Sequence, residues 1–251
     1  MNNIKISIIT ATFNSAKTLP QTLKSISNQT YKNIEHIIVD GGSSDDSINI
    51  IKRYADNKKI FLSEPDEGLY FAINKGMELA SGDVIGLMHS DDFYSDNFVL
   101  NDIARIFMNP RIDAVYADLD YINSSNQDQV VRKWRPGIFN VHRIKFGWMP
   151  PHPTLYIRNS CIEKFGLYDT QFRISSDYDF VLRYFSSVGF RAHYMPRVIV
   201  KMRLGGISNQ SIKTVILKSY EDYLAIKKNK IGGFYTLAIK NLSKVHQYFI
   251  G

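Results

Sequence analysis

Acidic and hydroxyl side chains stand at the ends of four short apolar runs in this sequence. They are Thr10 and Thr12 at the first run, Asp40 after the second, Glu64 and Asp66 after the third, and Asp91 and Asp92 after the fourth. Adjacent carboxylates such as Asp91 and Asp92 can bind a divalent cation through hard oxygen ligands, and the cation can neutralise a diphosphate. The same aspartates can instead cap the helices that follow them. Because the pattern recurs at four run ends, it favours a common cleft.

The apolar runs are predicted to be β-strands that alternate with helices. Residues 4–10, 34–39, 60–63 and 84–88 read as strands, and residues 19–28, 47–54, 70–80 and 98–108 read as helices. Such repeats are typical of an α/β fold with an open, mostly parallel sheet and helices on both faces. Ligands bind such sheets outside the carboxyl ends of the strands, which is where these polar side chains are expected to meet.

Asp40 lies in the segment Asp-Gly-Gly-Ser-Ser-Asp-Asp at residues 40–46. A carboxylate beside glycines can accept a hydrogen bond from a base N–H while the backbone comes close to the ligand. The alternative is a turn with Ser43 or Ser44 as the N-cap of the next helix, and both roles can hold together. The segment is not a dinucleotide-binding fingerprint, because it lacks the pattern GxGxxG.

Composition limits the classes of protein and of partner. The chain has 251 residues, 44% of them apolar, which is typical of a folded globular protein. No apolar run reaches 18 residues and no basic leader precedes the first strand, so we expect neither a membrane-spanning helix nor a signal peptide. One cysteine, Cys161, fits a reducing cytoplasm. The net charge of +7 favours an anionic partner, whether nucleic acid, lipid or phosphorylated metabolite.

The pattern changes near residue 118. Residues 123–126 are predicted to form a hairpin tip, and residues 134–153, with four prolines and two tryptophans, suit a binding loop. Helices are predicted at residues 159–165, 178–187, 211–228 and 234–249. We therefore expect three parts of the chain, at residues 1–117, at residues 118–208 of the same domain, and at residues 209–251, where the helices are amphipathic.

Several motifs together resemble glycosyltransferase family 2. They are Ser-Ile-Ile-Thr-Ala-Thr-Phe-Asn at residues 7–14, Gln-Thr-Tyr at 29–31, Glu-His-Ile-Ile-Val-Asp-Gly-Gly-Ser-Ser-Asp at 35–45, Gly-Leu-Tyr-Phe-Ala-Ile-Asn-Lys-Gly at 68–76, Ala-Ser-Gly-Asp at 80–83 and Ser-Asp-Asp at 90–92. The resemblance spans residues 4–208, and the motifs stand in the family's order. The branch it resembles builds bacterial capsular, exopolysaccharide or lipopolysaccharide repeat units.

The resemblance implies a GT-A fold and a nucleoside-diphosphate-sugar donor, most commonly a UDP-sugar. It implies that residues 1–117 form the nucleotide-sugar-binding half and residues 118–208 the acceptor-binding and catalytic-base half of the same domain. It implies that Thr10, Thr12 and Asp40 face the base and ribose and that Lys75 lies near the diphosphate. Asp66 joins this donor-binding set by its place after the third strand. Asp91 also belongs to the donor site and, with Asp92, matches the metal site, for Mn2+ or Mg2+. The sequence departs from the pattern at His89, which stands where the family often has its first aspartate.

The resemblance also implies a catalytic base. The family places an aspartate after a glutamate at a helix start, and here Asp177 takes that place while Ser176 replaces the glutamate. A carboxylate there can take the proton of an acceptor hydroxyl as the oxygen attacks the anomeric carbon, in a single inverting displacement. From the residues alone, Asp177 could merely cap its helix.

His152 and Arg203 are further candidates for the donor or acceptor site. Prolines stiffen the loop around His152, a residue that can touch acceptor or diphosphate or can be purely structural. Trp148 can stack on a sugar or anchor its loop. The segment at residues 203–208 resembles a flexible lid of the family, and through it Arg203 would reach the donor phosphates.

The C-terminal segment sets the expectations about partners. Residues 213–244 carry seven lysines, and Phe234, Leu237, Ala238 and Leu242 recur near helical spacing. Such a helix can lie on the inner face of the plasma membrane, but more often it packs on its own domain or on a second copy in a homodimer. A glycan or lipid-linked glycan is the expected acceptor.

Two other classes of function remain open. The first is a nucleotidyltransferase acting on sugar phosphates, although no Gly-rich phosphate loop with Arg and Lys stands near the N-terminus. The second is a non-catalytic nucleic-acid- or membrane-binding protein. Repeated carboxylates at strand ends would repel phosphates, so we expect no nucleic-acid partner.

Overall fold

The computed structural model describes residues 4–54, 59–204 and 212–246. Within them, nine strands form one sheet in the order β3-β2-β1-β4-β8-β6-β9-β5, and β7 pairs with β6 outside this path. The strands are β1 (Ile6–Thr12), β2 (Ile34–Asp40), β3 (Lys59–Ser63), β4 (Val84–Leu87), β5 (Phe93–Tyr94), β6 (Ala114–Ile122), β7 (Val130–Trp134), β8 (Tyr156–Arg158) and β9 (Ala192–Arg203). The helices are α1 (Leu19–Ser27), α2 (Ser47–Arg53), α3 (Leu69–Leu79), α4 (Val99–Phe107), α5 (Val141–Ile144), α6 (Asn159–Phe165), α7 (Ser176–Phe185), α8 (Ile212–Lys228) and α9 (Phe234–His246).

The first four strands run parallel and bring their carboxyl ends together. β1 pairs with β2 and β4, and β2 pairs with β3. In this register Thr12 lies beside Asp40, and Asp40 lies beside Ser63. The predicted α/β fold with strands and helices in alternation is confirmed, and its strand ends meet at one edge.

The other half of the sheet is mixed. β8 runs antiparallel to β4 and to β6, whereas β9 runs parallel to β6. The predicted hairpin at residues 123–126 joins β6 to β7. The sequence analysis predicted neither β8, which has only three residues, nor β9. The ladder between β6 and β9 shifts register opposite Pro196, which has no N–H to donate to a ladder.

The core lies on both faces of the sheet, because side chains alternate along the strands. On β1, Ile9 belongs to a buried cluster that includes Ile73 of α3 and Phe180 of α7, whereas Ile8 belongs to a second cluster, with Ile103 of α4, on the opposite face. Cys161 is buried in the first of these clusters. The helices thus cover both faces, as the sequence predicts.

Helix α8 packs against α7 and the segment before it, and α9 packs against α8. Lys228 of α8 pairs with Asp169 at 2.6 Å, and Asn229 donates a hydrogen bond to Asp179 of α7 at 2.9 Å. The predicted apolar stripe of α9 is not a single packed face, because Leu237 is buried while Phe234 and Leu242 are exposed. In the described part of the chain, none of the helices has the length and apolar character that crossing a membrane requires.

Candidate active site

A cavity of about 1270 Å3 opens at the carboxyl edge of the parallel strands. Thr12, Gly41, Asp66 and Asp91 line one side of it, from the ends of β1, β2, β3 and β4. Asp177 at the start of α7 lines the same cavity, as do residues of β7, the following loop, α8 and α9. The fold therefore gathers side chains from distant parts of the sequence around one space.

The two threonines predicted to face the base lie in different surroundings. Thr12 lines the cavity, and its buried Oγ1 has no hydrogen-bond partner among the described residues. Thr10 is fully buried, and its Oγ1 lies 3.0 Å from Nε2 of His36. A buried hydroxyl without a partner is costly unless a ligand or water satisfies it. The structure therefore brings Thr12, and not Thr10, to the cavity.

Asp40 organises the loop beside the cavity and does not line it. Its buried Oδ2 accepts hydrogen bonds from the N–H groups of Gly42 and Ser43, at 3.1 and 3.0 Å, and from the Ser63 hydroxyl at 2.8 Å. The predicted N-cap at Ser43 or Ser44 is wrong. Helix α2 begins later, at Ser47, because the Asp45 carboxylate accepts the Ser47 N–H at 3.0 Å.

Asp66 lines the cavity beside Gly41, but Lys75 does not reach it. A Cβ at Gly41 would lie 2.7 Å from Oδ2 of Asp66, so the absence of a side chain there gives Asp66 its place. Lys75 forms an ion pair with Glu64 at 2.6 Å and is absent from the cavity wall. The structure therefore does not bring Lys75 to the cavity.

Asp91 and Asp92 point to different places. Asp91 lines the cavity, whereas Asp92 is fully buried and neither of its carboxylate oxygens has a hydrogen-bond partner among the described residues. Burial, with the charge of Asp91, raises the pKa of Asp92 well above its usual range, although Arg203 opposes this. The structure thus brings one of the two predicted metal ligands to the cavity.

Asp177 is surrounded by aromatic and imidazole side chains. Its Oδ1 accepts the N–H of Tyr178 at 2.8 Å and lies 3.5 Å from the Tyr70 hydroxyl, which donates to the Ile174 carbonyl at 2.7 Å. Burial, with the Asp177 charge, raises the pKa of Tyr70 well above its usual range. Tyr70 therefore stays a neutral hydroxyl that can orient the Asp177 carboxylate.

Two histidines lie close to Asp177, and His89 is also close to Asp91. The rings of His89 and His152 are 5.7 Å apart, and Nε2 of His152 lies 2.7 Å from the Tyr168 hydroxyl. Burial lowers the pKa of His152 to about 4 and lowers that of His89 as well, against the opposing charge of Asp177. Both imidazoles are therefore neutral near pH 7 and can accept or donate hydrogen bonds at the cavity wall.

Arg203 reaches the cavity while fixing its wall. Its guanidinium donates hydrogen bonds to the backbone carbonyl of Asp91 and to the side chain of Gln21, and it lies over the Phe93 ring at 5.1 Å. These contacts stabilise the turn that presents Asp91. The rest of the predicted lid, residues 205–208, lies outside the described residues.

The predicted loop at residues 134–153 forms much of the opposite wall. Trp148 donates from Nε1 to the Pro136 carbonyl at 2.9 Å and packs edge-on against Tyr116 at 5.6 Å. It anchors the loop while lining the cavity, so both of its predicted roles remain compatible with its position. Sequence reasoning did not single out Tyr70, Tyr168, Lys218 or Lys240, which reach the site only through tertiary contacts.

The described acidic and imidazole side chains of the cavity do not by themselves complete the coordination shell of a metal ion. Across the ranges that the structure describes, no group of three or more His, Cys, Asp or Glu side chains is arranged to hold a metal ion. A magnesium-type cation needs only one or two protein carboxylates when phosphate oxygens and water complete its shell. The residues therefore fit a cation shared between Asp91 and a phosphorylated ligand, not a cage of protein ligands.

Known proteins are similar to this chain in sequence and in fold. Residues 7–170 match the profile of the family described as Glycosyl transferase family 2. A relative from Mycobacterium bovis, described as a "PGL/p-HBAD biosynthesis glycosyltransferase", is 32% identical over 217 residues, which cover 84% of this chain and 82% of the relative. An uncharacterized glycosyltransferase of Haemophilus influenzae is 41% identical over 100 residues, covering 39% of this chain and 40% of that protein.

Two solved structures share the architecture. S. aureus TarS 1-349 in complex with UDP-GlcNAc has a TM-score of 0.72 at 18% identity, over 91% of this chain and 66% of that one. The mannosyltransferase PcManGT from Pyrobaculum calidifontis, in complex with GDP-Man and Mn2+, has a TM-score of 0.67 at 19% identity, over 91% of this chain and 64% of that one. The chain thus spans less than two thirds of each solved protein, and the likeness is one of fold. With the family match over residues 7–170, these findings establish that the chain belongs to glycosyl transferase family 2 and has a GT-A-type fold.

Proposed function

We propose that this glycosyltransferase moves a sugar from a nucleoside-diphosphate-sugar, a UDP-sugar in the first instance, to a hydroxyl of a glycan or lipid-linked glycan acceptor. The observation that carries the proposal is the joint position of Thr12, Asp91 and Asp177 on one cavity. The relatives support the donor class, since one solved neighbour holds UDP-GlcNAc and another holds GDP-Man. The reaction belongs to the synthesis of bacterial surface polysaccharide or glycolipid.

The donor occupies the side of the cavity formed by the parallel strands. The Thr12 hydroxyl and the backbone around Gly41 bind the base and ribose, and Asp40 acts through the loop that it holds. Asp66 lies against Gly41 and adds a polar contact to the same subsite. The donor diphosphate extends toward Asp91, and a bound Mn2+ or Mg2+ would supply charge neutralisation for the leaving group.

Asp177 is the catalytic base of the proposed reaction. Its carboxylate takes the proton of the acceptor hydroxyl as that oxygen bonds to the anomeric carbon. The bond to the diphosphate oxygen breaks on the opposite face, so the configuration inverts. The Tyr178 N–H holds the carboxylate in place, the Tyr70 hydroxyl lies 3.5 Å from it, and the neutral His89 and His152 lie near it. Such positioning lowers the barrier because the proton acceptor is in place before reaction.

The exposed faces of α8 and α9 are proposed to rest on the inner face of the plasma membrane. Ile216, Tyr220, Phe234 and Tyr235 are at least 59% exposed, and Lys227 lies exposed on the same pair of helices. Apolar side chains with flanking lysines suit an anionic bilayer interface. A second copy of the chain is the alternative occupant of this surface.

Thermal unfolding with UDP, GDP, dTDP and CMP, each with and without Mn2+, tests the donor site. A nucleotide at 100 times its dissociation constant adds about 2.7 kcal/mol, which corresponds to roughly 5–10 °C for a domain of this size. We expect one nucleotide to give a metal-dependent shift. With the matching sugar nucleotide and acceptor extract, Asp177→Asn should keep the shift and lose at least about 100-fold in transfer. Normal transfer by this variant would contradict the proposed base, and no shift with any nucleotide would contradict the donor site.

A further inference from the structure

One edge of the cavity is apolar, where the loop at residues 134–153 meets α9. Phe146 of that loop lines the cavity and is 52% exposed, and Ile239 of α9 lines it and is half-buried. The loop approaches α9 closely, because a Cβ at Gly147 would lie 2.7 Å from the Cα of Lys240. Gly147 has φ +78°, a conformation that favours glycine. Phe146 and Ile239 therefore stand at this edge on two elements that are held against each other.

An apolar stripe on α9 continues from this edge to solvent. It consists of Tyr235, Ile239 and Leu242, which are four and three residues apart, a spacing that places side chains on one face of a helix. Tyr235 is 71% exposed and Leu242 is 68% exposed. The buried side of the helix carries Thr236 and Leu237 instead. The α9 stripe is therefore an apolar surface that begins at the cavity wall and ends in solvent.

The side chains of the α9 stripe favour a hydrocarbon chain over a sugar. Ile239 and Leu242 are aliphatic, so they offer neither hydrogen bonds to hydroxyl groups nor an aromatic face for a pyranose ring. Exposed apolar surface gains free energy when hydrocarbon covers it. Tyr235 also belongs to the proposed membrane face, so the stripe joins that face to the cavity. A polar cavity with an apolar exit matches an amphiphile whose head group enters the cavity.

We propose that Phe146 and the α9 stripe bind the hydrocarbon chain of a lipid-linked acceptor where that chain leaves the cavity. The inference rests on the proposed function, and it selects the lipid-linked glycan over the free glycan as acceptor. With the chain on Ile239 and Leu242, the head group lies in the cavity that Asp177 also lines. The stripe thus helps to align the reacting hydroxyl by holding the other end of the molecule.

Alkyl glucosides of increasing chain length test the proposal without requiring transfer. The chain has two tryptophans, Trp134 and Trp148, and both line the cavity, so intrinsic fluorescence reports binding there. The full chain, with and without UDP, is titrated with hexyl, octyl and decyl glucoside, each below its micelle concentration. Full burial of one methylene strengthens binding about fourfold, so half-burial of two methylenes should give at least about fourfold from hexyl to octyl and again from octyl to decyl.

Matched serine substitutions on the two C-terminal helices separate the stripe from other apolar surface. Leu242→Ser should weaken decyl glucoside at least about fivefold more than hexyl glucoside, because a longer chain reaches farther along the stripe. Val215→Ser, at a position 50% exposed on α8 and absent from the cavity wall, should change neither affinity.

A second pair of substitutions tests the loop side of the edge. Phe146→Ser should weaken octyl and decyl glucoside at least about threefold, because apolar contact area is lost. Ile138→Ser, at a position 78% exposed in the same loop and absent from the cavity wall, should leave both affinities unchanged. All four substituted side chains are at least half exposed, so the variants are expected to fold.

The proposal is overturned if the three glucosides bind alike, or if each substitution and its control give equal affinities. A second copy of the chain is the competing occupant of the stripe. A concentration-dependent dimer in sedimentation velocity that Leu242→Ser weakens, without any dependence of binding on chain length, would overturn the proposal in favour of that copy. A failure of the proposed function gives a different result. The absence of a nucleotide shift in thermal unfolding removes the donor assignment, whereas a nucleotide shift without chain-length dependence removes only the lipid-binding stripe.

Discussion

Thr10 and Thr12 lie two residues apart on β1, so their side chains point to the same face of the sheet, yet their hydroxyls have different surroundings. Thr12 lines the cavity with an unpartnered buried Oγ1, whereas Oγ1 of Thr10 lies 3.0 Å from His36. At the scale of single residues, this contrast assigns the Thr12 hydroxyl to ligand binding and the Thr10 hydroxyl to the structure. Replacing each threonine with the isosteric valine measures the two contributions separately.

Thr12→Val should weaken nucleotide binding up to about tenfold without lowering stability. One hydrogen bond to a ligand contributes about 0.5–1.5 kcal/mol, and the lost hydroxyl has no protein partner to leave unpaired. Thr10→Val is the control, which should keep nucleotide affinity but lower the free energy of unfolding by about 1 kcal/mol. Calorimetric titration and urea unfolding measure the two quantities. Unchanged nucleotide affinity in Thr12→Val would count against its contact with the donor.

The buried His152 is expected to make the free energy of unfolding depend on pH. Burial lowers its pKa from an ordinary value of 6.5 to about 4, so the unfolded chain binds the proton more readily than the folded chain. The stability contributed by the neutral imidazole is complete above pH 6.5 and is lost as the pH falls toward 4. Between pH 7.5 and pH 5 the free energy of unfolding should fall by about 2 kcal/mol, because pH 5 lies about 1.5 pH units below the ordinary pKa and each unit contributes about 1.36 kcal/mol.

Urea unfolding at several pH values measures this loss, and His152→Gln should be less sensitive to pH by a similar amount. His89, whose pKa burial also lowers, is present in both proteins. Equal pH dependence in the two proteins would contradict the buried neutral state of His152.

Glu35 titrates in a lower pH range. Burial raises its pKa, but hydrogen bonds from Lys5, Ser7 and Ser81 lower the pKa to about 2. The stabilising effect of the Glu35 carboxylate is therefore lost between about pH 4.5 and 2.

At the scale of elements, α8 fixes the start of the helix that carries Asp177. The buried Glu221 carboxylate accepts the N–H groups of Arg173, Ile174 and Ser175 at 3.0, 2.8 and 2.9 Å. These three donors lie just before the first turn of α7. The backbone N–H groups at the start of a helix have no partner within the helix. A carboxylate there also interacts favourably with the helix dipole. Glu221 is therefore a positioning residue for Asp177, supplied from a separate element.

Glu221→Gln should lower kcat at least about tenfold while changing the donor KM little. The amide replaces one acceptor oxygen with an NH2 group that faces backbone donors, so the turn before Asp177 shifts. We also expect a loss of about 1–3 kcal/mol in unfolding free energy. Glu163→Gln, at an exposed glutamate of α6, is the matched control. Steady-state kinetics decide when kcat is expressed per folded molecule, with the folded fraction taken from the unfolding curve. A kcat per folded molecule equal to that of the unchanged chain would contradict the positioning role of Glu221.

The sequence predicts strand ends better than it predicts side-chain directions. The apolar runs before Thr12, Asp40 and Asp91 predict parallel strands, because burial on both faces leaves an unmistakable pattern. The sequence pattern does not indicate that Lys75 pairs with Glu64 outside the cavity, or that the Asp92 side chain is buried. Both side-chain positions depend on tertiary neighbours. Strand β9 was missed because Pro196 interrupts its pattern.

At the scale of the whole molecule, the first two predicted parts share one sheet, and all three parts line one cavity. β4 of the first predicted unit pairs with β8 of the second, and α8 and α9 of the third supply Lys218 and Lys240 to the cavity. The division of roles at residues 117 and 208 stays a prediction, while residues from all three parts line the cavity. Which residues meet there depends on tertiary packing, which local sequence patterns do not encode.

The membrane face proposed on α8 and α9 includes exposed apolar side chains, and a net charge of +7 favours anionic over neutral lipid for such a face. The chain should float with vesicles that contain phosphatidylglycerol and much less with phosphatidylcholine alone, and salt should weaken the interaction. Ile216→Asp, at a position 65% exposed on α8, should reduce binding several-fold because a charge then enters the interface. Val188→Asp, at a fully exposed apolar residue after α7, should leave binding unchanged. Equal effects of the two substitutions would contradict this membrane face, and a concentration-dependent dimer without vesicle binding would assign it to a second copy.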